Sequence, residues 1–302
     1  MILKKYSWEV AQWLAQSSYK AEAGGSSPLF PIWRGIEAVL KTVCSQGTWV
    51  RIPPSPLGKR VPKKQTKKGK VAMSKIYVTG DTHRTTDIGK LLYLSNREKF
   101  TKDDYVIIAG DFGGLWDGYK SDSDEEVLGI YADFPWTTLW IDGNHENFDE
   151  LSQYPVEEWN GGLVQKINDS VIHLMRGQIY TIDDLKFFTM GGATSIDKMW
   201  RQEYISWWRQ EMPSDSEYKS AMNNLKEHDM TVDYVITHCC SRSCLRKTLL
   251  NSQFNDELNG WFDYLEIDMT LKFRHWYYGH YHLDKNIDKT HTCLYNKIVR
   301  IK

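Results

Sequence analysis

Residues Lys75-Ile76-Tyr77-Val78-Thr79-Gly80-Asp81-Thr82-His83 decide how this chain is read. A short β-rich run ends on a glycine, and a carboxylate and an imidazole follow at once. The pattern recurs downstream. YVIIA at 105–109 ends at Gly110-Asp111, and TTLWI at 137–141 ends near Gly143-Asn144-His145-Glu146. DYVIT at 233–237 ends at His238, and HWYY at 275–278 ends at Gly279-His280-Tyr281-His282. Nearly continuous apolar runs of this length suit strands buried on both faces of a sheet. Residues 86–99 carry Ile88, Leu91, Leu92 and Leu94 at a spacing that predicts a helix. Strand, helix, strand and strand again imply βαβ units with right-handed crossovers. Open α/β sheets place their sites where such strands end.

Outward from this frame, 178–182 and 185–190 flank Asp183-Asp184 and predict a hairpin. Residues 198–228 are rich in Trp, Glu and Lys and predict largely helical structure. A helix is expected within 255–274, and LYNKIVRI at 294–301 reads as a closing strand.

The 302 residues carry 25% charged and 41% hydrophobic side chains with a formal net charge of -1, which excludes a disordered chain, a collagen-like fibre and a simple, highly basic nucleic-acid binder. No uninterrupted apolar stretch reaches about 18 residues, so no membrane span is expected. Five cysteines without a C-x-x-C pair predict free thiols and a reducing, cytoplasmic setting.

The charge is unevenly spread. Residues 1–72 hold 13 Lys and Arg against 3 Asp and Glu, and six of the nine prolines, whereas 73–302 has a net charge of -11. Three readings fit this basic, Pro-rich extension: a nucleic-acid-binding arm, a solvated linker, or an unfolded product of a reading frame that runs upstream of its true start. We expect the third. Val50-Arg51-Ile52-Pro53-Pro54 is encoded by a string like the T-arm of a transfer-RNA gene. Codons for Lys67-Lys68-Gly69-Lys70 can form a bacterial ribosome-binding site just before Met73. The expected functional domain is 73–302, from a bacterium or its phage. Nucleic acid is an expected partner only if 1–72 is translated.

The strand-end motifs place carboxylate, imidazole and amide oxygen side by side, a donor set that suits a pair of divalent transition ions or magnesium. A single such motif is noise in loop sequence. Five in one order, each after an apolar run, are not. One carboxylate, that of Asp111, can bridge two ions through its two oxygens.

The series D-x-H, G-D, G-N-H-E, H and G-H-x-H resembles the calcineurin-like metallophosphoesterase superfamily over 74–302. The resemblance implies a four-layer α/β/β/α sandwich of two mixed β-sheets with flanking helices. It implies that Asp81, His83 and His282 hold one metal, that Asn144, His238 and His280 hold a second, and that Asp111 bridges. It places His145 beside the substrate as a non-ligand histidine, suited to protonate the leaving oxygen. The implied chemistry is hydrolysis of a phosphate ester, a phosphodiester or small phosphomonoester, by in-line attack of a hydroxide held between two divalent cations. Manganese is expected first, and iron, zinc, nickel or magnesium also suit these donors.

Protein phosphatases of this superfamily carry arginines after the second motif and before G-N-H-E. Here those places read Phe112-Gly113-Gly114 and Ile141-Asp142. Both arginines are absent, which argues against that substrate class. Arg84, Arg176 and Arg201 are the candidates for holding phosphate. Glu146 and Asp142 are candidates for orienting neighbouring groups, with an exposed turn as the alternative for Asp142. Gly191 and Gly192 could let the backbone approach a ligand. Trp200, Trp207 and Trp208 could stack on a base, although packing under a helix is the expectation. Cys239 and Cys240 are expected to be small strand-end residues, and His173, His228, His275 and His291 match no motif. Three alternatives stand beside the enzyme: a non-catalytic scaffold of this fold, a nuclease and a protein phosphatase.

Overall fold

The computed structural model describes residues 73–249 and 256–302. The basic extension 1–72 lies outside the described residues. The chain starts with β1 (Ile76–Thr79), α1 (Gly89–Arg97), β2 (Tyr105–Ile108), α2 (Asp122–Asp133), β3 (Thr137–Trp140) and the single turn α3 (Phe148–Leu151). It continues through β4 (Val156–Trp159), β5 (Gly162–Asn168), β6 (Val171–Leu174), β7 (Gln178–Ile182), β8 (Leu185–Met190) and α4 (Asp215–Glu227). It closes with β9 (Tyr234–Thr237), α5 (Arg242–Thr248), α6 (Glu257–Asp263), β10 (His275–Tyr278), β11 (Lys285–Asn286), β12 (His291–Cys293) and β13 (Ile298–Arg300).

Two mixed sheets form. One has the order β13-β1-β2-β3-β6-β5-β4, the other β11-β12-β10-β9-β8-β7. In the first, β1, β2, β3 and β6 run parallel, and in the second β8, β9, β10 and β12 do so. Strand alternation sends Ile76, Val78, Ile107, Leu139 and Ile172 inward, where they meet Tyr180, Phe187, Ile236 and Tyr277 of the other sheet. The opposite face of the second sheet, with Phe188, Val235, Trp276 and Tyr278, packs on Ala221, Leu225, Leu245, Leu258 and Phe262 of α4, α5 and α6. On the outer side of the first sheet, Tyr77 packs edge-on to Phe100 and Phe100 to Trp136, which stacks on Phe134. Each fully buried aliphatic or aromatic side chain contributes about 1.5–3 kcal/mol by leaving water. Covering both faces of both sheets explains why the strands read as continuous apolar runs.

Several elements differ from expectation. A helix, α2, fills the β2–β3 crossover, N-capped by the Ser121 side chain, which accepts from Asp124 N. Within 198–228 only α4 is helical, started by a capping box of Ser214 and Glu217. Residues before it form two 3-10 turns at Lys198–Trp200 and Arg209–Glu211, held by Lys198 and Ser195 N on the buried Glu211 carboxylate. The helix expected within 255–274 is α6 followed by a π-helical turn, Tyr264–Asp268. The closing strand is shorter than expected, and β12 pairs with β10 in the sheet interior.

Candidate metal centre

The loops after β1, β2, β3, β9 and β10 converge at one edge of the sandwich. Asp111 lies at the middle: its Oδ2 is 3.3 Å from His83 Nε2 and its Oδ1 is 3.2 Å from His238 Nε2. His282 Nε2 is 3.1 Å from Asp81 Oδ2, and Asn144 Oδ1 is 3.3 Å from His238 Nε2. Ligand atoms of three sets lie within 4.8 Å of one another: Asp81, His83 and His282; Asp111, His238 and His280; and His83, Asp111 and His145. The five sequence motifs are thus brought together, with His145 among them.

The surrounding residues decide which ring nitrogen faces inward. Asp87 Oδ2 takes His83 Nδ1 at 2.7 Å, and the Ala109 carbonyl takes His238 Nδ1 at 2.9 Å. Each imidazole therefore turns Nε2 toward Asp111, the usual outer-sphere arrangement for a metal-binding histidine. Asn144 Nδ2 donates to Ser195 Oγ at 3.1 Å, which turns its amide oxygen inward. Glu146 is buried and accepts from Phe112 N (2.8 Å) and Gly113 N (3.0 Å), fixing the loop after Asp111. Asp87 and Ser195 carried no signal in sequence, because neither belongs to a motif and both act through hydrogen bonds closed by the fold.

Several of these residues carry strained backbone. His83, Asp111, His280 and His282 all adopt positive φ, between 41° and 67°, which non-glycine residues rarely do. The glycines beside them serve different needs. Gly110 has φ +93°, and a Cβ there would collide with the His238 ring. Gly143 has no such dihedral. It is required because a Cβ would strike the Asp111 carboxylate, so close approach rather than a tight turn explains it.

Electrostatics favour a cation in this cage. Asp81 and Asp111 are buried, and Asp81 Oδ2 makes no hydrogen bond. Burial lowers the proton affinity of His83 and His238, yet the facing carboxylates outweigh it and hold them up at about 10 and about 9. His280, buried and beside His238, is pushed down to about 4. His145 is lowered by burial and by Arg201, His83 and His238, against the pull of Asp111. Buried carboxylates, imidazoles that give up their protons to a bound cation, and an amide oxygen fit divalent metal ions.

The candidate arginines separate. Arg176 is buried, and its guanidinium is engaged by Asp142 (Nε to Oδ2, 2.7 Å) and the Gln210 carbonyl. Its Nε and Nη2 are spent on Asp142 and the backbone of Gln210 and Glu211, so it holds Asp142 in place. Asp142 is accordingly buried rather than an exposed turn: burial raises its carboxyl, but Arg176 and His173 bring it down to about 2. Arg84 gives its donors to Asp124 (2.6 Å), Asp117 (3.3 Å) and Ser123 Oγ (2.8 Å), which leaves it a structural cation. Arg201 alone of the three reaches His145, with Nη2 3.2 Å from Nε2 and Nη1 3.4 Å from Nδ1.

Gly191 packs against the Asp142 carboxylate, so it answers to packing rather than to a ligand. Trp208 is buried and donates to Asp149, whereas Trp200 is 83% exposed. Cys239 and Cys240 are buried in the core behind β9.

No curated protein matches the chain significantly. Among solved structures, the chain is similar to the phosphopantetheinyl hydrolase PptH from Mycobacterium tuberculosis, at 14% identity and a TM-score of 0.40, covering 74% of this chain and 90% of that one. It is also similar to a Staphylococcus aureus protein described as a 5'-nucleotidase, in complex with alpha-ketoglutarate, at 15% identity and a TM-score of 0.39. The chain spans 73% of its own length and about half (48%) of that protein's in the match. The model of the calcineurin-like phosphoesterases matches residues 74–284, the stretch that carries every strand-end motif, and the chain belongs to that family.

Proposed function

We propose that this chain is a dinuclear phosphoesterase that hydrolyses a phosphodiester or a small phosphomonoester, with manganese as its first-choice metal. As a family member it is a metal-dependent hydrolase of phosphate esters. The observation that carries the finer reading is Asp111, whose two carboxylate oxygens face two different imidazoles, His83 and His238. Asp81, His83 and His282 would hold one ion, and Asn144, His238 and His280 the other. When bound, two divalent cations supply an acidified water and neutralise the phosphoryl oxygens.

The remaining chemistry belongs to side chains. His145 is anchored through its backbone N–H on Asp111 Oδ1 at 2.9 Å, which holds the residue at the cage, and in this reading its ring faces the substrate instead of ligating an ion. In this reading it gives a proton or hydrogen bond to the leaving oxygen. Arg201 is the cation that meets the phosphoryl oxygens, taking over the place of the two missing superfamily arginines. Asp142, held by Arg176 and His173, fixes the loop that leads into Gly143 and Asn144.

The test is turnover of a chromogenic phosphodiester and of the matching monoester by metal-stripped protein given manganese, beside Asp111→Ala. We expect metal-dependent turnover, lost together with both ions in the variant. Two ions retained by Asp111→Ala would refute the bridge. Two ions bound by the wild type with neither ester hydrolysed would favour the scaffold reading. The ratio of the two rates selects the ester class.

A further inference from the structure

A second cluster of metal-ligating side chains lies on the outer side of the second sheet. Cys244 of α5, Glu266 of the π-helical turn and His291 of β12 each offer one donor atom, and the three atoms lie within 4.8 Å of one another. Cys244 is 2% and His291 4% exposed. His291 Nε2 and Glu266 Oε2 are buried and make no hydrogen bond, although Glu266 Oε1 stands 3.4 Å from that nitrogen. Unsatisfied polar atoms in so apolar a setting are costly, and each needs a partner. The ring sits among Phe273 and Trp276, so water is a poor candidate for that partner.

The other ring nitrogen is already committed. His291 Nδ1 is 2.9 Å from Asp288 Oδ1, and Asp288 is itself paired with Lys247 at 3.2 Å. A carboxylate on Nδ1 fixes the tautomer that leaves a lone pair on Nε2. That lone pair then points at the Glu266 carboxylate and the Cys244 sulfur. Three electron-rich atoms converge, and a cation resolves the conflict. Cys244 itself, pushed up to about 12 by burial, is an inert thiol unless a metal lowers it. The π-helical turn is a further sign, since such turns occur frequently at functional sites.

We infer that Cys244, Glu266 and His291 form a separate transition-metal site that takes one zinc ion. Thiolate, imidazole and carboxylate are zinc donors, three of the four that a tetrahedral zinc takes. On binding, the Cys244 proton leaves to solvent and the sulfur coordinates as thiolate. The ion would tie α5, the π-helical turn and β12 together. α5 begins four residues after His238, so the site braces a loop of the catalytic centre without touching it.

Cobalt(II), titrated into the metal-stripped full-length protein, tests this. Thiolate coordination produces a near-ultraviolet charge-transfer band. The catalytic cage has only oxygen and nitrogen donors and cannot. We expect the band to level off at the intensity of one thiolate-bound cobalt per chain, to be bleached by zinc, to vanish in Cys244→Ser and to persist in Cys44→Ser. Manganese-dependent turnover in Cys244→Ser should stay within about twofold, and its melting temperature should no longer respond to zinc. Cobalt bound without a charge-transfer band, or a band unchanged in Cys244→Ser, would overturn the site. Zinc-edge absorption of the wild-type protein gives a check that does not depend on any variant folding: one sulfur scatterer at about 2.3 Å supports the site, and none refutes it.

Discussion

Arg201 Nη2 lies 3.2 Å from His145 Nε2, and in the proposed function both residues face the substrate. We predict that His145→Ala keeps both metals by elemental analysis and slows turnover about 10²–10⁴-fold, most for esters with poor leaving groups. Metal loss in this variant would reassign the residue as a ligand. Arg176 acts differently. It neutralises Asp142 inside the protein, and removing one partner of a buried pair leaves an uncompensated charge. Arg176→Met should cost about 3–5 kcal/mol by denaturant unfolding. Glu150 sets a third expectation. Both of its carboxyl oxygens are buried without a hydrogen bond, and burial together with the Asp124 charge raises it from 4.5 to about 8. The folded state then holds this proton more tightly than the unfolded chain. Its contribution is full below pH 4.5 and is lost as pH rises through about 8. Glu150→Gln should therefore melt close to the wild type under acid conditions and increasingly above it up to about pH 8, read from melting curves across pH.

The element that matters most for the site is the least regular one. Residues 193–213 form no strand or long helix, yet Ser195 orients Asn144 and Arg201 reaches His145. The segment is held by Glu211, which is fully buried and receives Ser195 N and Lys198. Ser195→Ala frees the Asn144 amide to rotate. We predict a drop of about 10–100-fold in metal affinity, measured by titration calorimetry, with the melting temperature of the metal-stripped protein little changed. Helical composition alone suggested a helix through this stretch. Trp207, Trp208 and Lys198 instead serve tertiary contacts, including Trp208 Nε1 on Asp149 and Lys198 over the Trp207 ring. Propensity is a weak prior once such contacts are available.

At the scale of the molecule, one inter-sheet core holds the strand-end loops at a common edge. Ala72–Lys302 forms its own compact unit. No helix among the described residues is long and apolar enough to cross a membrane. A chain starting at Met73 should keep metal-dependent turnover within about twofold of the full-length chain and melt at the same temperature. Loss of turnover or a lower melting temperature would show that 1–72 contributes. The check is a side-by-side activity and calorimetry measurement. The zinc site belongs to this scale too, because it is made from a helix, a turn and a strand that no short segment contains.

Residue order alone determined the strands β1, β2, β3, β9 and β10, the β7–β8 hairpin and the motif that follows each of those five strands. The reason is local: a continuous apolar run and the polar donor that follows it are written in adjacent residues. The positions that could carry chemistry were legible for the same reason, since a ligand follows its strand directly. Tertiary structure decided the rest. It separated Arg201 from Arg84 and Arg176, three residues alike in sequence: Arg201 pairs locally with Asp197 and reaches His145, whereas the other two are tied to carboxylates more than 30 positions away. It showed that Gly143 is needed for the Asp111 carboxylate beside it rather than for a turn. It paired Cys244 with His291, 47 positions apart, where no spacing rule could have joined them. Burial, charge pairing and close approach are properties of neighbours in space, and only the folded chain defines who those neighbours are.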